Sequence, residues 1–187
     1  MRALFVAFAF LLFVNPLWAK DIAGVPFDEQ LVSESGVTLH LNGAGIRKKL
    51  FFKIYIAALY LANPSEDASL VIADEKEKRI VMHFLYDEVG KDKLIEAWNE
   101  GFAANQGEES LGSLQSRIDT FNAMFDEDMV AGDVIVFDYF PGTGTRVTIK
   151  GNVEGVIEGK DFNDALLAIW LGDKPVGSDL KNELLSP

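Results

Sequence analysis

Residues 46–61, IRKKLFFKIYIAALYL, alternate for most of their length, and this alternation constrains the fold more than any other feature. One face carries Ile46, Lys48, Leu50, Phe52, Ile54, Ile56 and Ala58. The other carries Arg47, Lys49, Phe51, Lys53, Tyr55, Ala57 and Leu59. A period of two is the period of a strand, so a sheet is expected to form around this stretch. Its 16 residues exceed the usual strand, which predicts a bend or bulge inside it. The preceding NGAG, residues 42–45, reads as a turn closing the alternating strand VTLHL.

The remaining periodicity supplies partners for that sheet. VPFDEQLVSESG reads as a leading strand and turn, and KRIVMHFLY as a further strand. NPSEDASLVIADE is a turn followed by a short helix or strand, with no periodicity to decide between them. From Lys91 the period becomes helical: Leu94, Ile95, Trp98 and Phe102 mark one face, and Gly107 suits a stop. Leu111, Leu114, Ile118, Phe121 and Phe125 mark a second helix. DVIVFDYF, TRVTIKG and VEGVIEG form a meander with turns at PGTG and GN. DFNDALLAIWLG is a helix with Asp161 as N-cap, and GSDLKNELL a last one capped by Ser178. The predicted class is α+β: a large antiparallel sheet covered on one face by helices, in one domain over residues 20–187.

The N-terminus reads as a leader. Arg2 precedes the apolar run Ala3–Val14, which is too short to span a bilayer; Asn15 and Pro16 break it. Ala19 is the expected cleavage residue, although Leu17 is larger than the ideal at the −3 position. A periplasmic or secreted protein is expected, with no membrane-spanning segment after cleavage. There is no cysteine, so such a protein has neither disulfides nor a thiol nucleophile.

Charge and motifs narrow the chemistry. A net charge of −12 disfavours nucleic acid and broad adsorption to anionic membranes, although a local basic patch would override the latter. His40 and His83 fall in strands without ligand spacing, so no metal site is expected, and no cofactor motif is present. NGAGIRKK fails as a phosphate loop because a strand follows it, not a helix. Phe51, Tyr55, Trp98 and Phe102 either line an apolar cavity or fill the core. An inward-facing Arg47 needs an anionic partner, because an unpaired buried charge costs several kcal/mol. Otherwise it is an exposed arginine, or one paired with a carboxylate of the protein.

Three segments, LNGAGIRKKLFFKIYIAALYL, DKLIEAWNEGF and DALLAIWLGDKPVGSDLKNELL, resemble the chalcone isomerase-like family. The similarity extends roughly over residues 22–185, and the leader and compact length resemble its bacterial branch. The resemblance implies an open-faced β-sandwich with ligand held between sheet and helices. It also implies one of two activities: cyclisation of a chalcone, or non-catalytic binding of a fatty acid through an arginine and a tyrosine. Arg47 matches the family arginine. The enzymes' threonine falls on Tyr55, their lysine near His83, their tyrosine on or near Gly90, their asparagine near Ala97–Asn99 and a further threonine near Ile169. Most of the polar set that orients a chalcone is therefore missing.

The reading that follows is binding of a small apolar carboxylate such as a fatty acid. Arg47 would hold the headgroup, Lys49 or Lys53 would raise the local potential, and Phe51, Tyr55, Ile56, Trp98, Phe102, Ile169 and Trp170 would line the cavity. An intramolecular lyase acting on a chalcone-like enone is the first alternative. A structural module without ligand is the second. One geometric difficulty stands: in an unbroken strand Arg47 and Tyr55 lie roughly 26 Å apart at ~3.3 Å per residue, too far to share one carboxylate. Either the strand bends between them, or Tyr55 lines the tail region.

Overall fold

The computed structural model describes residues 19–187, so the expected leader, apart from Ala19, lies outside the described residues. A ribbon of β1 (Ala19–Ile22) and β2 (Val25–Asp28) comes first, then β3 (Gln30–Val32), β4 (Thr38–Lys49) and β5 (Phe52–Leu61). α1 (Ala68–Ala73), β6 (Lys78–Phe84) and β7 (Glu88–Val89) lead to the helices α2 (Lys91–Asn105) and α3 (Glu108–Asn122). β8 (Met129–Val130), β9 (Val134–Phe140), β10 (Gly144–Ile149) and β11 (Asn152–Ile157) precede α4 (Lys160–Leu171) and α5 (Ser178–Leu184). Seven strands form one antiparallel sheet in the order β11-β10-β9-β6-β5-β4-β3.

The long alternating stretch is two strands, not one. Leu50 and Phe51 form a two-residue hairpin loop, and β4 returns alongside β5 with Lys49 opposite Phe52 and Lys48 opposite Lys53. The register slips by one residue at Ile54, so Arg47 stands opposite Tyr55. The expected turn at NGAG does not exist: these four residues are buried inside β4. Asn42 is the bulged residue of that strand, fully buried. Its amide donates to the Leu184 and Ser65 carbonyls, and its carbonyl accepts from the Ser65 N–H. The C-terminal helix and the chain leaving β5 are thereby fastened to β4.

The two faces of β5 enter different cores. Tyr55, Ala57, Leu59 and Leu61 join the main core beneath α2, α3 and α4, with Phe102, Phe121, Phe162 and Trp170 at its centre. Ile56, Ala58 and Tyr60 join a smaller cluster with Phe27 and Leu39 on the opposite face. Two predicted caps are corrected. Gly159, at φ +94°, caps α4, while Asp161 in its first turn forms a two-pronged ion pair with Arg117, both contacts 2.6 Å. Gly177 caps α5, and Ser178 is its first residue. The undecided segment after β5 contains a helix, α1, capped by Asp67.

One buried charge yields a pH prediction. Lys78 is 2% exposed; its ammonium donates to the Val71 and Asp74 carbonyls and lies over the Tyr139 ring. Burial pushes its pKa down to about 8, Lys160 adds to the depression, and Asp74 and Asp164 oppose it. Below pH 8 folded and unfolded chains both carry this proton, so the folded state bears the whole penalty. Between pH 8 and the ordinary value of 10.5 only the unfolded chain keeps it, so the contribution of Lys78 to stability rises with pH across that window, opposed above pH 10 by Tyr55 and Tyr60, whose burial raises both to about 12. The gain is expected to be on the order of 2–3 kcal/mol in denaturant unfolding. Lys78→Met should flatten the rise relative to wild type.

Candidate functional site

The hairpin decides the site. Arg47 and Tyr55 are cross-strand partners on the helix-covered face, where such side chains lie within about 5.5 Å at Cβ. Both line a cleft of about 720 Å³ at the end of the main core. Its floor is Tyr55 of β5 with Met82 and Phe84 of β6; α2 contributes Leu94, Trp98 and Gly101, and α4 contributes Ile169. This volume suits a small organic ligand, and the inner wall is almost wholly carbon. The rim is charged: Arg47 and Lys49 face Lys93, Glu96 and Glu100 of α2 and Lys174 beyond α4.

Arg47 is one of three rim cations left for a ligand among the described residues, with Lys49 and Lys174, and the one that stands opposite Tyr55. Its guanidinium donates to the neighbouring Lys48 carbonyl, and among the described residues it takes part in no ion pair. Lys93, by contrast, is engaged with Glu96 at 2.7 Å, a bond that raises the lysine's pKa and lowers the glutamate's.

Tyr55 is prepared as a donor. Burial pushes its hydroxyl up to about 12, partly offset by the hydrogen bond from Trp170 and the charge of Arg47. It therefore keeps its proton at neutral pH. Trp170 Nε1 donates to the Tyr55 oxygen at 3.1 Å, which occupies an acceptor site and leaves the phenolic O–H free to donate. A carboxylate between guanidinium and phenol would accept from both.

The sequence-predicted residues divide sharply. Arg47, Lys49, Tyr55, Trp98 and Ile169 line the cleft together. Trp170 lies behind it, touching Tyr55. Phe102 is fully buried against Phe121 and Phe162 and does not reach the cleft. Ile56 is on the opposite face of the sheet. Phe51 is 98% exposed at the hairpin tip, and Lys53 is exposed beside it, so neither belongs to the wall. Met82 and Phe84 read in the sequence only as letters of a strand, and Leu94 only as part of a helical face; none of the three carries a signal for the cleft. Where the resemblance implied polar groups, Gly90, Ala97 and Ile169 line the cleft; Asn99 is turned to Asn122, and His83 pairs with Ile56 on the far face.

Trp98 is 3% exposed, yet its indole N–H has no partner among the described residues. Gly101 is where α2 meets α4: an added Cβ would sit 2.9 Å from Ile169 Cγ2, so glycine holds the helices close at the cleft wall.

Comparison with known proteins agrees with this architecture. A family model described as chalcone isomerase-like matches residues 19–186. No curated protein matches by sequence. Among solved structures, the crystal structure of an Arabidopsis thaliana fatty-acid binding protein superimposes with a TM-score of 0.58 at 16% identity. The match covers 84% of this chain and 96% of that one, and at this identity it speaks for the fold.

Proposed function

Because this chain belongs to the chalcone isomerase-like family, we propose that it is an exported, non-catalytic binding protein for a fatty acid or similar apolar carboxylate, held with its headgroup at Arg47 and its chain along the cleft. The observation that carries this reading is the pairing of an Arg47 without an ion-pair partner among the described residues and a protonated Tyr55 across one strand pair, at the charged end of an apolar cleft. A guanidinium and a phenol recognise a carboxylate; a carbon-lined channel recognises what is attached to it. The structural neighbour is described as fatty-acid binding, which supports the same ligand class. The alternative of a pocket filled by the protein's own groups is disfavoured, since the cleft lies beside Arg47 and no described carboxylate pairs with that residue.

The test begins with protein purified from its host and examined by native mass spectrometry, where a co-purified lipid acid is expected. Calorimetry should then show fatty-acid binding. Arg47→Ala should weaken it by about 1–3 kcal/mol, roughly 5- to 150-fold. Absence of both co-purified lipid and measurable binding would sink the proposal. Loss of chalcone absorbance faster than in buffer, and dependent on Arg47, would replace binding with catalysis.

A further inference from the structure

We propose that the tip of the β4–β5 hairpin is a membrane-docking element, seating Leu50, Phe51 and Phe52 at the surface of an anionic lipid bilayer with Lys48, Lys49 and Lys53 on the lipid phosphates. The tip is the most conspicuous apolar exposure described: Leu50 is 86% exposed, Phe51 98% and Phe52 53%, three consecutive large side chains. They lie within RKKLFFK, residues 47–53, which has four of the chain's 17 basic residues and no acid, in a molecule of net charge −12. The local sign is thus opposite to the global one. The acidic body is repelled by an anionic surface, and the hairpin tip presents the complementary charge.

Two local conflicts point the same way. Leu50 sits at φ +56°, the first position of a two-residue hairpin loop, where glycine, asparagine or aspartate is the easy choice. Lys48 stands directly opposite Lys53, a like-charged cross-strand pair that disfavours the hairpin. Neither choice helps the fold; each supplies a group that a bilayer surface would take. A convex tip of three side chains is also much smaller than a protein interface, which buries about 800 Å² per partner. No described helix is long and apolar enough to cross a membrane, so the proposed mode is docking at the surface.

The tip adjoins the cleft. Phe52 packs edge-on against Tyr86, ring centroids 5.3 Å apart, and Tyr86, Lys49 and Arg47 line the cleft. Docking would therefore set the charged rim of the cleft against the headgroup layer, where an apolar carboxylate presents its head. This second step rests on the ligand proposed above; the docking itself does not.

The experiment is vesicle flotation without added ligand, using protein in the form its host accumulates. Wild type is expected to float with vesicles of phosphatidylglycerol and phosphatidylcholine, and about tenfold or more less with phosphatidylcholine alone. Leu50→Gly/Phe51→Ser and Lys48→Gln/Lys53→Gln should each reduce binding about tenfold or more, with thermal unfolding unchanged or raised. Since every variant keeps the same N-terminus, the difference belongs to the tip. Equal flotation of wild type and both variants would overturn docking. So would a wild-type dimer in gel filtration that becomes monomeric in the Phe51→Ser variant without any vesicle binding. Fatty-acid calorimetry on the tip variants separates the two proposals. Retained ligand binding with lost flotation upholds both. Retained ligand binding with unaltered flotation overturns docking alone.

Discussion

Gly43→Ala is expected to unseat the C-terminal helix. A Cβ at this position would meet the Glu183 carbonyl oxygen at 2.2 Å and the Leu184 carbonyl oxygen at 2.6 Å. Both atoms are backbone, so no side-chain rotation relieves the clash, and α5 or β4 must move. If α5 lifts, Leu180 and Leu184 lose their place in the core, and the Asn42–Leu184 hydrogen bond is broken. Two buried leucines at ~1.5–3 kcal/mol each put the loss at about 3–6 kcal/mol in denaturant unfolding. Gly45→Ala should disturb the same helix, because its Cβ would meet the Glu183 carboxylate, which can swing away, and also Glu183 Cβ at 2.6 Å, which moves only with the α5 backbone. Gly112→Ala, in α3 with nothing near the added Cβ, should stabilise by roughly 0.5–1 kcal/mol. A Gly43→Ala protein as stable as wild type would mean that α5 does not approach β4 as described.

The same glycines show where sequence reading ends. NGAG has the composition of a turn, and composition is all that a linear pattern offers. Its glycines serve a contact with residues 183 and 184, which nothing local in the sequence announces. The true turn, Leu50–Phe51, has none of the residues that mark turns, and the alternation runs on through it. The pattern therefore describes one strand where two exist. Arg47 and Tyr55, apparently at opposite ends of a rod, are neighbours across a ladder. The helices were legible for the converse reason: the 3–4 spacing of Leu94, Trp98 and Phe102, and of Leu114, Ile118 and Phe121, is a local property of each segment. The layered α+β architecture followed from those periods and is the chalcone isomerase-like fold. Site membership was only half legible. Periodicity assigns a residue to a face, and Ile56 failed because the face of β5 that carries it packs on the smaller core. Phe102 and Trp98 share one helix face, yet one turn of α2 separates cleft wall from core centre.

Trp98→Ala is the second large effect expected, and it joins stability to ligand choice. The indole packs edge-on against Phe121, Phe137 and Trp170 and tilted against Phe125, with ring centroids between 5.7 and 5.8 Å, and also lines the cleft. Removing it takes the shared wall from both, so about 3–5 kcal/mol should be lost. What remains is an enlarged cavity running from the cleft toward the aromatic core, and protein that still folds should accept bulkier apolar carboxylates than wild type. Trp98→Phe separates volume from polarity. It keeps most of the aromatic packing and deletes an N–H that has no partner among the described residues, so stability should stay within about 1.5 kcal/mol of wild type. An apolar tail gains nothing from an indole N–H, so fatty-acid affinity measured by calorimetry should change little in Trp98→Phe. A large loss of affinity in that variant alone would mean that the ligand carries an acceptor deep in the cleft, and a simple fatty acid would then be the wrong chemical class.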